Sequence, residues 1–339
     1  MRQRKPAHPS AATARLLRAV AVALLVCVLA FDAQAQQRNP DQRMGRTVLD
    51  EASPHYRFES FAVDSPDGRR RWLVRVGIPT GKPPTDGFPA FWMLDGNAAL
   101  MNFDRELLAD LARNTTPVLV FVGYDNDLRI DSPARTRDYT FLADTREGSG
   151  DPGERIGGGA DAFLDVIERR IRPQVAAHAP IDPRRQTLWA HSLGGLFVLH
   201  ALYTRTGAFD TYAAGSPSLW WRGGAMLGES EQQFVAHNAG RQARVLLMLG
   251  GGERQRDTSN RDMNNPRVVE HLRRVSGAPP GAAAALAERL KQVPGLDVSY
   301  REFPGLGHGP MFRASLMATL HAVAGVTDRS QSPAPSAAP

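Results

Sequence analysis

The chain is nearly without cysteine. Its single one, Cys27, lies in an N-terminal stretch expected to be removed. The remaining chain then has no disulfide and no thiol nucleophile. Leu24-Leu25-Val26-Cys27-Val28 is also a poor lipoprotein site, because the residue before the cysteine is not small. No H-E-x-x-H and no paired metal-ligand spacing occurs, which argues against a metallohydrolase. Internal repeats are missing, so repeat architectures are set aside. A one-sided charge is missing too. The first 35 residues hold five Lys/Arg and one acidic residue, leaving 36 basic against 34 acidic beyond them, a formal net charge of +2. That balance gives no footprint for a nucleic-acid partner.

What is present begins with the N-terminus. Arg2, Arg4, Lys5, Arg15 and Arg18 form a basic start, and Ala19 to Phe31 is an apolar run too short for a comfortable membrane span. Ala33-Gln34-Ala35 follows as a cleavage site. Residues 1–35 therefore read as a secretory signal peptide cut before Gln36. The expected location is periplasmic or secreted, with an uncleaved anchor as the alternative. Residues 36–54 are expected to be flexible, and 55–325 to form one domain. Residues 326–339 are expected to be a disordered, Pro/Ala/Ser-rich tail. The long, polar, Gly-rich stretch 144–160 is expected to be a mobile flap beside the site, with a passive insertion as the alternative. The oligomeric state stays open.

Strand and helix patterns alternate along the domain. Strand runs are His55 to Val63, Arg71 to Ile78, Phe88 to Leu94, Pro117 to Tyr124, Gln186 to Ala190, Thr211 to Gly215, Ala243 to Gly250 and Leu296 to Phe303. Helical spacing covers Asn97 to Arg113, Phe163 to Ala177, Leu193 to Thr204, Val268 to Arg274, Ala282 to Val293 and Pro310 to Ala324. Several strands are apolar throughout. The expected fold class is α/β: a mostly parallel mixed sheet with helices on both faces, as in α/β-hydrolases.

Trp189-Ala190-His191-Ser192-Leu193-Gly194-Gly195 joins a strand run to a helical one, the context of a nucleophile elbow. Small residues, Ala190 and Gly194, stand two before and two after Ser192. The base is expected at His308, in a Gly-rich loop between the last strand and the last helix. His191 belongs to the elbow and is expected to point elsewhere. The acid is expected at Glu253, just after the strand Ala243 to Gly250, with Asp257 as second choice and a Ser–His dyad as a further alternative. The N–H of Leu193, and one from Gly96 or Asn97 in the turn Asp95-Gly96-Asn97, are expected to form the oxyanion hole.

With these residues in place, the chain resembles the putative-esterase branch of the α/β-hydrolases. It is similar to periplasmic siderophore esterases, the trilactone hydrolases of enterobactin and salmochelin. The matching stretches are Met93 to Ala98, Val122 to Tyr124, Arg135 to Thr140, Gly194 to Leu199, Ser216 to Leu219 and Leu306 to Phe312. They run in the same order between about residues 55 and 325. The chain departs from the family at Ala190, where glycine is usual. The resemblance implies Ser192 as nucleophile and His308 as base. It implies no cofactor, with iron entering only as part of the substrate. Such a substrate is an anionic small molecule bearing catechols, so cations and aromatic surface are expected near the serine. Arg129, Arg135, Arg137, Trp220 and Trp221 are the candidates, although an internal pair of Arg135 with Asp138 is an equal expectation. Two rivals stand beside this reading. One is an esterase or acyltransferase for another ester, such as an acylated sugar. The other is a non-catalytic siderophore-binding protein.

Overall fold

Apolar runs of the sequence become the inner strands of an eight-stranded sheet in the computed structural model. The model describes residues 41–141, 157–253 except 239, 264–266, 269 and 277–326. Outside these lie the expected signal peptide, most of the expected flap, Asp257, the helix expected over Val268 to Arg274 apart from Val269, and the expected tail beyond Val326.

The strands are β1 (Tyr56–Asp64), β2 (Arg71–Pro79), β3 (Phe88–Leu94), β4 (Val118–Tyr124), β5 (Ile181–His191), β6 (Thr211–Gly215), β7 (Ala243–Gly250) and β8 (Leu296–Phe303). Their order across the sheet is β1-β2-β4-β3-β5-β6-β7-β8. β2 pairs antiparallel with both β1 and β4, and every pairing from β4 to β8 is parallel. β4 and β6 are buried along their whole length and β3 nearly so. That is why they read as continuous apolar runs: both faces of the sheet are covered. β8, at an edge, alternates between partly buried and exposed positions until Phe303. The period-2 geometry divides the core in two. Ala90, Trp92 and Leu94 pack on one face, and Phe91 and Met93 on the other.

The helices are α1 (Gly96–Leu100), α2 (Arg105–Arg113), α3 (Ser132–Tyr139), α4 (Ala160–Val166), α5 (Arg172–His178), α6 (Leu193–Thr204), α7 (Glu229–His237), α8 (Ala282–Leu290) and α9 (Met311–Ala324). The single helix expected over Asn97 to Arg113 is two. Asp104 takes extended backbone and its carboxylate accepts the N–H of Leu107 at 2.7 Å, starting a second helix. The apolar spacing survives the break, so periodicity alone misses it. α4 runs into α5 through a π-helical segment, Ile167–Ile171, placed just before Pro173, whose missing N–H disfavours regular α geometry. α3 and α7 had no apolar stripe to announce them. Part of the N-terminal segment has local structure of its own. From residue 41 it is described, Val48 is buried, and Thr47 and Asp50 form a capping box around a short 3₁₀ turn. Among the described residues no helix is long and apolar enough to cross a membrane.

Candidate active site

β5 delivers its chain directly into α6, and Ser192 takes the turn between them with φ 65° and ψ −120°. This is a region non-glycine residues rarely occupy, at a cost of about 1–3 kcal/mol. Neighbours hold it there. Its N–H donates to the Gly215 carbonyl at 2.8 Å, and its carbonyl accepts the N–H groups of Leu196 at 3.0 Å and Ser218 at 3.1 Å. A Cβ on Gly194 would stand 2.7 Å from the Cβ of Ala190. One of these two positions must lack a side chain, and here it is Gly194. Alanine in place of the usual glycine at 190 is therefore tolerated.

The loop after β8 carries His308, and the 3₁₀ turn after β7 (Gly251–Glu253) carries Glu253. The two loops are tied together by the N–H of Gly252 donating to the Leu306 carbonyl at 3.0 Å. His308 Nε2 lies 2.9 Å from Ser192 Oγ, and His308 Nδ1 lies 2.7 Å from Glu253 Oε2. With a carboxylate at Nδ1, the proton of the neutral ring resides there. Nε2 is then an acceptor, and the serine hydroxyl donates to it. Burial alone would raise the Glu253 pKa. The hydrogen bond and charge of His308 outweigh it, with help from the Ser216 hydroxyl and the Gly250 N–H, and the carboxyl ends below its ordinary value. The stabilisation that goes with a lowered carboxyl pKa is complete above the usual carboxylate range. It is lost as pH falls through the lowered value. Glu253→Ala should therefore lower Tm relative to wild type at neutral pH, and the gap should narrow as pH falls below the ordinary carboxylate range. Thermal unfolding across that range checks this; a gap independent of pH would contradict it.

Register places the turn after β3 beside the elbow. Met93 pairs with Trp189, so Asp95 to Asn97 stand level with His191 to Leu193. Asp95 has φ 50°, ψ 49°, and α1 begins at Gly96. Its N–H donates to the Tyr139 hydroxyl at 2.9 Å. A Cβ on Gly96 would meet the backbone of Phe121 and Val122 at 2.8 Å, so only glycine lets α1 start against β4. The side chain of Asn97 is fully used. Arg75 donates to its Oδ1 at 2.6 Å, and its Nδ2 donates to the carbonyls of Asn126 at 2.9 Å and Leu128 at 2.8 Å. What Gly96, Asn97 and Leu193 offer a ligand is backbone N–H at two helix starts, where such groups have no intrahelical acceptor.

Arg135 departs from expectation. Its partner is not Asp138 but Asp95, on which Nε (2.9 Å) and Nη2 (2.8 Å) form a bidentate pair. Nη2 also donates to the His191 carbonyl at 3.1 Å. Arg135 is buried, and burial works against its charge, but Asp95 more than compensates and its pKa is raised. It is thus a clamp between the turn after β3 and the elbow, with its bidentate face spent on the protein. Asp138 instead receives Arg70, Arg137 and the indole N–H of Trp72. Arg137 is partly exposed in that pair. Arg129 differs: no side-chain hydrogen bond of it occurs among the described residues. Its guanidinium lies 5.5 Å from the centroid of Phe312, and burial lowers its pKa, partly offset by Asp95. Trp220 and Trp221 are partly buried, with rings 6.1 Å apart, and the Trp221 indole N–H donates to the Phe141 carbonyl at 3.4 Å.

Two contacts escaped sequence reasoning. His191 does not point away: its ring packs 4.6 Å from that of His308 and 5.5 Å from Phe312. The segment Ser216 to Ser218 after β6 reaches two of the central residues. The Ser218 hydroxyl is 3.4 Å from Ser192 Oγ, and the Ser216 hydroxyl donates to Glu253 Oε1. Two signals pointed to this segment, its position at a strand's carboxyl end and its place among the family-matching stretches, but neither gave its partners.

A family model described as "Putative esterase" matches residues 65–322. An apo-salmochelin esterase of Escherichia coli O6:H1 is 33% identical over 308 residues, covering 89% of this chain and 90% of its own. A ferri-bacillibactin esterase of Bacillus subtilis is 30% identical over 258 residues, covering 73% and 82%. A solved enterobactin and salmochelin hydrolase superposes with a TM-score of 0.61 at 32% identity, covering 81% of this chain and 98% of that one. The sheet and its helices are those of an α/β-hydrolase.

Proposed function

The chain belongs to the putative-esterase family and is a carboxylic ester hydrolase, and on that premise we propose that it opens the trilactone backbone of a catecholate siderophore. The observation that carries the reading is the hydrogen-bonded line Ser192–His308–Glu253 at the carboxyl edge of the sheet. Ser192 Oγ attacks an ester carbonyl carbon while its proton passes to His308 Nε2. The oxyanion is received by the N–H of Leu193 and one of Gly96 or Asn97. Collapse expels the neighbouring seryl alkoxide, which takes the proton from His308. Water, deprotonated by the same nitrogen, then releases the acyl group and restores Ser192. Glu253 holds the proton-bearing Nδ1 and stabilises the imidazolium.

Support for the substrate comes from the activities for which the relatives are named and from charge near the site. Arg129 is a half-buried cation over an aromatic ring, suited to an anionic catecholate. Arg135 is neutralised by Asp95, and its part is to hold the turn that carries the Gly96 and Asn97 N–H groups in place. Arg137, Trp220 and Trp221 would contact the outer parts of a large substrate.

We further propose that residues 1–35 direct export and are removed, giving a periplasmic or secreted enzyme. N-terminal sequencing of exported protein should begin at Gln36, and an intact N-terminus would contradict it. The substrate proposal is tested by comparing kcat/KM on a catecholate trilactone with that on a feruloylated sugar ester. The trilactone should be preferred by on the order of 10²-fold or more, because remote groups of the correct substrate contribute to the transition state. A preference for the sugar ester would favour the rival esterase.

A further inference from the structure

Ser216 has no part in the steps above, yet its surroundings are unusual. It is 1% exposed and has φ 42°, a left-handed value that costs a serine energy. Its N–H donates to the Met248 carbonyl of β7 at 2.7 Å, which fixes the residue to the neighbouring strand. Its hydroxyl donates to Glu253 Oε1, the oxygen that also accepts the Gly250 N–H at 3.0 Å. The other oxygen, Oε2, faces His308 Nδ1 at 2.7 Å.

The terminal torsion of a glutamate is broad, so a carboxylate held at one oxygen alone swings through a wide range. Here Glu253 ends a short turn that is tied to the next loop through Gly252, which places its backbone but leaves the terminal torsion to the partners of the carboxylate. Two donors on Oε1, one from each of two adjacent strand ends, remove that freedom. They leave Oε2 as the oxygen facing the imidazole. Hydrogen bonds to an ionised group are also the stronger kind, so the same hydroxyl favours the carboxylate over the acid.

We infer that Ser216 is a positioning residue, which acts on catalysis through Glu253 by fixing the carboxylate that orients His308. The inference rests on the reading of Glu253 as the acid of the triad. Ser216's strained backbone fits a residue kept for its hydroxyl, because glycine would occupy the same φ without strain. The Ser216 hydroxyl is also among the contacts that lower the Glu253 pKa.

The experiment is a double-mutant cycle on the full chain, read with a simple chromogenic ester so that it does not depend on the siderophore. Ser216→Gly deletes the hydroxyl and relieves the backbone; Ser216→Ala deletes the hydroxyl alone. Both should lower kcat by about tenfold, the scale of one hydrogen bond to a charged group. Ser216→Gly should unfold at no lower temperature than Ser216→Ala, which separates activity from stability. In the Glu253→Ala background, Ser216→Gly should cost no further activity. The same tenfold cost in that background, or wild-type kcat for Ser216→Gly, would overturn the inference while leaving the triad intact. Full activity of Glu253→Ala by itself would overturn both the triad and the inference.

Discussion

Ser192→Ala is expected to lower kcat on a simple ester by on the order of 10⁵-fold or more, with the fold unchanged. The reason is geometric. Ser192 Oγ is the nucleophile candidate 2.9 Å from His308 Nε2, while the nearby Ser218 hydroxyl stands off at 3.4 Å from Ser192 Oγ and hydrogen-bonds no base among the described residues. Removing Oγ leaves His308 with nothing to activate but water. Residual rate would come from the oxyanion N–H groups and binding alone. Circular dichroism, Tm and kcat measured together check this. A loss of tenfold or less would mean that another group carries the attack.

Arg135→Ala is expected to have the largest effect on stability, about 3–5 kcal/mol, because it leaves the carboxylate of Asp95 buried and alone. The side chain of Asp95 is 1% exposed, so water cannot replace the guanidinium. Activity should fall as well. Arg135 spans from Asp95, at the head of α1, to the carbonyl of His191, just before Ser192. A double variant, Arg135→Met with Asp95→Asn, removes both charges and should recover much of the stability. It should not recover kcat, since the tie between turn and elbow is still gone. Urea unfolding and kcat for the three proteins separate the two effects. Recovery of kcat with stability would show that the clamp matters only to folding.

These two sites differ in how far the sequence announced them. The elbow was legible because its chemistry is local: a serine between an apolar strand and a helix, with small residues at fixed offsets. His308 and Glu253 were legible by position, each just beyond a buried-strand run, because chain order fixes which strand ends meet. The family resemblance pointed the same way, and the family match covers most of the domain. The inner strands were legible because full burial on both faces leaves an unbroken apolar run. Other features depend on partners distant in sequence. Arg135 and Asp95 lie 40 positions apart, so the sequence offered Arg135 only the nearby Asp138 or a ligand. The ring of His191 meets His308 across more than a hundred residues. The break before α2 depends on a single cap, Asp104, inside an otherwise continuous stripe. Ser216 stood in a stretch matching the family, but its partner Glu253 is 37 positions away and only the pairing of β6 with β7 brings the two together.

The most direct test of the account follows the products of a catecholate trilactone, apo and ferric, by mass spectrometry after incubation with the wild-type enzyme and with Ser192→Ala. The account predicts linear trimer, dimer or monomer from the wild type and intact trilactone from the variant. Intact trilactone with both proteins, while the wild type still reacts at Ser192 with a fluorophosphonate, would contradict the siderophore assignment and leave a serine esterase for a different ester.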